Sequence, residues 1–396
     1  MSSNSQIQVR RVREVTKGTT PGTAMDTLAF RTFDPDQKLT REKPGNVVSD
    51  RQVRDNPAVN LEVSAQATSD YIIGPYDGIR EDAFANTYST AYTSTGTDVA
   101  CVASGNKLTK TAGWSGLQDY SIVKVSGFST NGAVFYALCG AISTTDLPLT
   151  WPTIVNESAG PSVTVEHDGN LTLGSTLYTA TYETFNTASS VGKKWQYLAC
   201  SSWGFDMSHP GQITQSFNFV GGKAMTPVTS ALGNTSNAVS TNPVLTSGTP
   251  FGDGLHPTRG LGLRIADNLM SNFRVKKLSA TLSNPLLADG AAGTFGPVDV
   301  TLDGMFELSG SLEVLRNHST VETLITSANT DTYSASFAWG WVDALGNSEL
   351  WYLPAVQFSG DKTAGLQQSG RETATFSWMA KYAANHGMVR GARFLV

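Results

Sequence analysis

Residues 59–68 read Val59-Asn60-Leu61-Glu62-Val63-Ser64-Ala65-Gln66-Ala67-Thr68. Apolar and polar side chains alternate along the whole run. Successive side chains of a strand point to opposite faces, so the stretch predicts a long β-strand with one buried face and one wet face. A similar run appears later: Val298, Val300 and Leu302 alternate with Asp299, Thr301 and Asp303, then continue through Gly304, Met305, Phe306, Glu307 and Leu308. Two long alternating runs, far apart in one chain, call for a search for internal repetition.

Further pieces recur in the same order. A short helix is predicted after each run. Ser319 and Glu322 have capping-box spacing, and Val321, Leu324 and Ile325 share one helical face. In the first half Asp77 is placed to cap Ile79–Phe84. Tyr178-Thr179-Ala180-Thr181-Tyr182 parallels Tyr333-Ser334-Ala335-Ser336-Phe337, and Trp195–Ala199 parallels Trp351–Ala355. Gly211–Phe219 parallels Gly370–Trp378. Several elements in one order point to a duplication.

The halves differ by an insertion in the first, residues 96–168. It carries Tyr120–Phe128, then Asn131-Gly132, then Ala133–Leu138, a strand–turn–strand pattern that predicts a hairpin in a small β subdomain. Residues 226–258 are rich in Ser, Thr, Asn, Gly and Pro and read as a linker. The resulting organisation is an N-terminal arm (1–20), a first domain (21–225), the linker, and a second domain (259–396). Leu261, Leu263 and Ile265, then Val275, Leu278, Ala280 and Leu282, predict further strands. Arg10, Arg11, Arg13 and Lys17 mark the arm, read either as a solvated tail or as a reach toward a neighbouring subunit.

Composition supports a β-rich chain. Only 15% of residues are charged, and Ser, Thr, Asn and Gly replace the Glu, Lys and Arg that coat helical proteins. The net charge of −5 argues against tight nucleic-acid binding, which carries a basic footprint. Cys101, Cys139 and Cys200 form no CxxC pair and read as buried reduced thiols. No apolar run spans a membrane and no secretory signal opens the chain, so cytoplasmic assembly is expected.

Catalytic patterns are missing. His167, His209, His256, His318 and His386 show neither HExxH nor zinc spacing, and there is no Walker A loop or G-x-S-x-G elbow. The reading is not an enzyme, with no metal and no cofactor. Asp34-Pro35-Asp36 and Asp267 read as turn residues rather than calcium ligands. Trp339, Trp341, Trp351 and Trp378 read as core or interface groups, with an aromatic sugar platform as the alternative. The polar faces of the two alternating runs lack Lys and Arg. Such faces suit a channel lining that repels phosphates, and equally an ordinary wet sheet.

The pieces together resemble a known family: the tail tube proteins, or major tail proteins, of long-tailed, siphovirus-type bacteriophages, in their two-domain form. The likeness is carried by Thr27–Phe33, Arg41-Glu42-Lys43-Pro44-Gly45, Ser49–Asp55, Val59–Thr68, Val123–Phe128 with Asn131-Gly132, and Leu353-Pro354-Ala355-Val356 with Thr373–Phe376. It implies a mainly β fold: two tandem tail-tube β-sandwich domains, each with one short helix, plus the inserted β subdomain on the outside. It further implies a trimeric ring with pseudo-sixfold symmetry, stacked into a hollow virion tail tube through which DNA is ejected. Asn60, Glu62, Ser64, Gln66, Asp299, Thr301, Asp303 and Glu307 would face the lumen. Arg41, Lys43, Asp50, Arg51 and Arg54 would bridge rings. Partners would be further copies, the tape measure protein and DNA in the lumen, and the tail terminator and tail-tip proteins. The rival reading is a β-sandwich binding module, an adhesin or sugar-binding tail component; a hydrolase on a β scaffold ranks last, since no carboxylate pair or triad is visible.

Overall fold

The computed structural model describes residues 7–42, 56–160, 162–229, 236–246, 263–270, 274–290, 296–315, 319–328, 334–359 and 373–396. Among the described residues the fold is mainly β, with two short helices. The first half opens with β1 (Ile7–Arg13), β2 (Met25–Leu28), β3 (Thr32–Arg41), β4 (Ala58–Asp70) and α1 (Asp77–Ala83). Then come β5 (Tyr92–Gly96), β6 (Ala100–Val102), β7 (Lys107–Thr109), β8 (Ile122–Ser126), β9 (Val134–Cys139), β10 (Asp146–Trp151) and β11 (Val163–His167). The half continues with β12 (Asn170–Thr172), β13 (Ala180–Asn186), β14 (Val191–Ser208), β15 (Thr214–Gly221), β16 (Thr226–Val228) and β17 (Ser236–Asn237). The second half has β18 (Arg264–Ile265), β19 (Asn268–Leu269), β20 (Val275–Ser283), β21 (Leu286–Gly290), β22 (Pro297–Leu302), β23 (Glu307–Leu315) and α2 (Ser319–Ala328). It closes with β24 (Ala335–Val342), β25 (Ser348–Ser359), β26 (Thr373–Ala380) and β27 (Arg390–Phe394).

One antiparallel run organises the molecule: β3, β4, β15, β14, β20, β23, β26, β25. Its first four strands come from the first half and its last four from the second, in the same internal order. The registers match residue by residue. Gln66 lies between Asp34 and Asn218; Ser311 lies between Ser279 and Ser377. Both halves also carry the same irregularity: between Ala180 and Tyr182 the partner strand advances from Leu198 to Trp195, and between Ala335 and Phe337 it advances from Val356 to Leu353. Such bulges are designed features, and two in one place are hard to reach by chance. The backbone bond after the bulge repeats too: Gly222 N donates to Tyr197 O at 2.9 Å, and Lys381 N to Ala355 O at 2.7 Å. The registers therefore align Trp195 with Leu353, two residues from the Trp351 that the sequence pattern suggests.

The long strands β14 and β25 leave this sheet at the bulge. The front part of β14 pairs with β13 and β16, and β13 continues to β1 and β2. The front part of β25 pairs with β24 and β27. Apolar residues of both layers and of the helices form one core. It includes Ile79 and Ala83 of α1, Leu324 and Ala328 of α2, and Trp203, Phe205, Trp339, Trp341 and Trp378 of the strands, so it does not divide at the linker.

Several expectations need correction. Val298–Leu308 is not one strand. β22 ends at Leu302, Gly304 takes φ +113°, and β23 begins only at Glu307. The true counterpart of Val59–Thr68 is β23. Asp77 does not cap α1; Tyr76 holds that position, and Asp77 bonds Arg80 and Arg393 instead. Within the arm Ile7–Arg13 is a strand paired between β13 and β2, with Arg11 buried against Asp82. Asp34 and Asp36 lie in β3 rather than a turn, whereas Asp267 is a turn residue at φ +61°. The expected linker is partly built in: β16 pairs with β14, β17 pairs with β2, and Leu245 is buried between the backbones of Tyr71 and Ile213.

The insertion forms a separate seven-stranded sheet, in the order β5, β11, β8, β9, β10, β7, β6, over its own core. The β8–β9 hairpin exists, but Ser126 pairs with Val134, so its loop is longer than the Asn-Gly pair alone. Glu157 clamps that loop by accepting the backbone N–H groups of Ser129, Thr130 and Asn131. Burial opposes its charge, but these bonds prevail and hold its carboxyl down at about 2. The subdomain docks on the second half. Ile122, Tyr136, Leu138 and Trp151 pack against Ala338, Leu350, Tyr352 and Phe394.

Candidate functional site

The eight-stranded sheet has one face in the core and one face that is almost wholly polar. Along β4, Asn60, Glu62, Ser64 and Gln66 are exposed while Leu61, Val63, Ala65 and Ala67 are buried. Cross-strand pairing carries this polar face outward on both sides. It takes in Asp34 and Asp36 of β3, Ser216 and Asn218 of β15, Asp206 of β14, Ser279 and Thr281 of β20, Glu307, Ser309 and Ser311 of β23, and Ser377 of β26. Short hydroxyl and amide groups tie neighbouring strands together: Asn218 Nδ2 donates to Ser202 Oγ at 2.7 Å, and Ser279 and Ser311 share a bond of 2.8 Å. Acidic groups outnumber basic ones, with Asp34, Asp36, Glu62, Asp70, Asp206, Glu307 and Glu313 against Arg31, Lys38 and Lys277. Lys277 is spent on Asp206 at 3.0 Å.

Where the halves meet, β14 pairs with β20 from Ser202↔Ser283 to Ser208↔Lys277. Beneath that pairing the second half receives the first. Phe205 lies 5.6 Å from Trp339 and 5.2 Å from Trp341, and Trp203 lies 4.9 Å from Trp351. Arg80, fully buried, donates to Glu349 at 2.9 Å, and the Tyr71 hydroxyl donates to the same carboxylate at 3.0 Å. Burial works against the charge on Arg80, but Glu349, Tyr71 and Asp77 outweigh it and hold its pKa above the usual value.

The matching registers locate the same receiving surface on the first half. Phe33 and Pro35 correspond to Leu278 and Ala280; Thr184 and Asn186 correspond to Trp339 and Trp341. These four residues, with Ile7, Val191 and Lys193, line an open groove of about 370 Å³. Beside it runs the outer edge of β3, whose one strand partner among the described residues is β4. The surface that is filled at the middle of the chain is thus open at its end.

The residues singled out from sequence are distributed as follows. Asn60, Glu62, Ser64, Gln66 and Glu307 lie on the polar face of the eight-stranded sheet. Asp299, Thr301 and Asp303 do not join them; Asp299 and Thr301 lie on β22 and Asp303 just beyond it, in a two-stranded hairpin with β21. There the Tyr197 hydroxyl and Lys17 bond Asp299 and hold its carboxyl below the usual range. Arg41 ends β3 and donates to Asn56 O at 2.9 Å, while Lys43, Asp50, Arg51 and Arg54 lie outside the described residues. The β14–β20 junction was not read from sequence. The alternation of Ser202, Gly204, Asp206 and Ser208 with Trp203, Phe205 and Met207 marks a strand there but not the strand it pairs with.

A depression of about 460 Å³ on the polar face is lined by residues that include Arg31, Thr68, Asp206, Ser216, Ser279 and Thr281. Among the described residues no group of His, Cys, Asp or Glu has metal-binding geometry, and no helix is long and apolar enough to cross a membrane. The three cysteines are buried, and burial pushes each thiol above its usual value. Trp339, Trp341, Trp351 and Trp378 are all in the core, which removes the aromatic platform that favoured sugar binding. No protein-family model matches the chain. No curated protein matches it either.

Proposed function

We propose that this chain is a self-assembling structural subunit whose copies join side by side into a ring and then stack into a hollow tube, the tail tube of a long-tailed bacteriophage. One observation carries the reading. The surface that receives the first half at Leu278, Ala280, Trp339 and Trp341 occurs again at Phe33, Pro35, Thr184 and Asn186, where it is open beside the edge of β3 that has no strand partner among the described residues. A repeated surface filled once and open once fits a head-to-tail contact between copies, and pairing of β3 with the next copy removes an edge that otherwise invites aggregation. Three copies of the two-unit chain would close such a ring with pseudo-sixfold symmetry, as the family resemblance implies. The polar, acidic face would then line the lumen. Carboxylates repel phosphates, so DNA would pass without sticking. Tape measure, terminator and tip proteins would be the further partners, and the inserted sheet would stand outside.

Negative-stain microscopy of the purified protein tests this. Tubes or stacked rings with a central hole are expected as concentration rises. A monomer that persists at high concentration across buffers and salts overturns the reading.

A further inference from the structure

The Glu157 clamp on the β8–β9 loop closes over the one Asn-Gly pair of the sequence, Asn131-Gly132. In an unrestrained chain such a pair deamidates. The glycine nitrogen attacks the asparagine Cγ, the bond from Cγ to the side-chain nitrogen breaks, and ammonia leaves. Water then opens the cyclic imide to aspartate or isoaspartate. Glycine favours the attack because it has no Cβ to restrict its backbone or shield its nitrogen. Here both ends of the Asn131 amide are held. Nδ2 donates to Val155 O at 3.0 Å and to Glu157 Oε2 at 2.9 Å, and Oδ1 accepts the Val155 N–H at 2.8 Å. Gly127 N donates to Ala133 O at 3.1 Å and closes the loop. Glu157 is itself fixed, because its backbone exchanges two hydrogen bonds of 3.0 Å with Cys101.

We propose that Asn131-Gly132 is a deamidation site that the Glu157 clamp keeps latent. For the Gly132 nitrogen to reach Cγ, the Asn131 amide must turn out of its bonds to Val155 and Glu157. The bond to Glu157 is charge-assisted and is the strongest of them. Conversion is also one-way. An aspartate places an oxygen where Nδ2 stood, so both donated bonds become contacts between acceptors, and one of them sets two carboxylates together. The clamped loop and the deamidated loop therefore exclude each other. Deamidation opens the loop and leaves the β8–β9 ladder, from Ile122↔Leu138 to Ser126↔Val134, in place.

The full-length protein is incubated at mildly alkaline pH, with and without urea, and the peptide that contains Asn131 is followed by mass spectrometry. Slow conversion is expected in the native protein and rapid conversion in urea. Glu157→Ala is expected to convert about ten- to a hundredfold faster than native wild type, the range set by one hydrogen bond to a charged group. Glu157→Gln keeps the shape and one acceptor oxygen, so its rate should fall between the two. Asn131→Asp reproduces the product. It should show faster amide exchange at Ser129 and Thr130 while β8 and β9 stay protected. Native wild type that converts as fast as in urea, or Glu157→Ala that converts as slowly as wild type, overturns the proposal. A loop that stays protected in Asn131→Asp overturns its one-way character.

Discussion

Gly310 shows how one residue records the divergence of the halves. A Cβ at this position of β23 would come within 2.0 Å of Ser279 O and 2.4 Å of the Trp378 indole. Its counterpart in β4 is Ala65, which faces Phe219. The smaller ring leaves room for a methyl; the larger ring takes it. Gly310→Ala is expected to destabilise the protein by about 1–3 kcal/mol through overpacking. Trp378→Phe in that background should recover only the share due to the indole, because the carbonyl clash remains. Urea unfolding of the two single variants and the double variant measures the coupling. Equal stability of wild type and Gly310→Ala would show that the close fit has no energetic weight.

Among the elements, β11 of the inserted sheet carries a titratable group in an unfavourable place. His167 is buried against the Tyr92 ring at a centroid distance of 6.0 Å, and its Nδ1 finds no hydrogen-bond partner among the described residues. Burial lowers its pKa to about 4, with Asp168 opposing. The folded value lies below the unfolded one, near 6.5, so folding favours the neutral ring. Its contribution is complete above that unfolded value and is lost as pH falls from 6.5 toward 4. The protection factors of amides in β5, β8 and β11, with the intrinsic pH dependence of exchange divided out, are expected to fall over this range. In His167→Phe the pH dependence should flatten. An unchanged profile in the variant would assign the effect elsewhere.

For the whole molecule, the decisive feature is the joint between halves. The buried cluster of Arg80, Glu349, Asp77 and Tyr71 lies across it, along with Phe205 and the four tryptophans Trp203, Trp339, Trp341 and Trp351. Removing one partner of a buried ion pair strands the other charge, so Arg80→Met or Glu349→Leu alone is expected to cost about 3–5 kcal/mol. The double variant should recover much of that loss, since an apolar pair of similar volume satisfies the site. Denaturant melts followed by tryptophan fluorescence check this. Losses that simply add would rule out the coupling. The inserted sheet also belongs to this scale: it leaves the chain in the first half and packs on the second.

The sequence alone determined what depends on local period. Alternation in Val59–Thr68 was enough to specify a strand, its buried face and its polar face, because side-chain direction follows from position in a strand. The order of matching pieces also announced the repeat. Tertiary structure decided what depends on partners. A positive φ at Gly304 separated β22 from β23, so Asp299, Thr301 and Asp303 left the face that Glu307 shares with Glu62. The pairing of β14 with β20, the docking of Trp151 on the second half and the open groove beside Phe33 join residues far apart in the chain. Burial and hydrogen bonding across such distances come from packing, and no local pattern of letters encodes them.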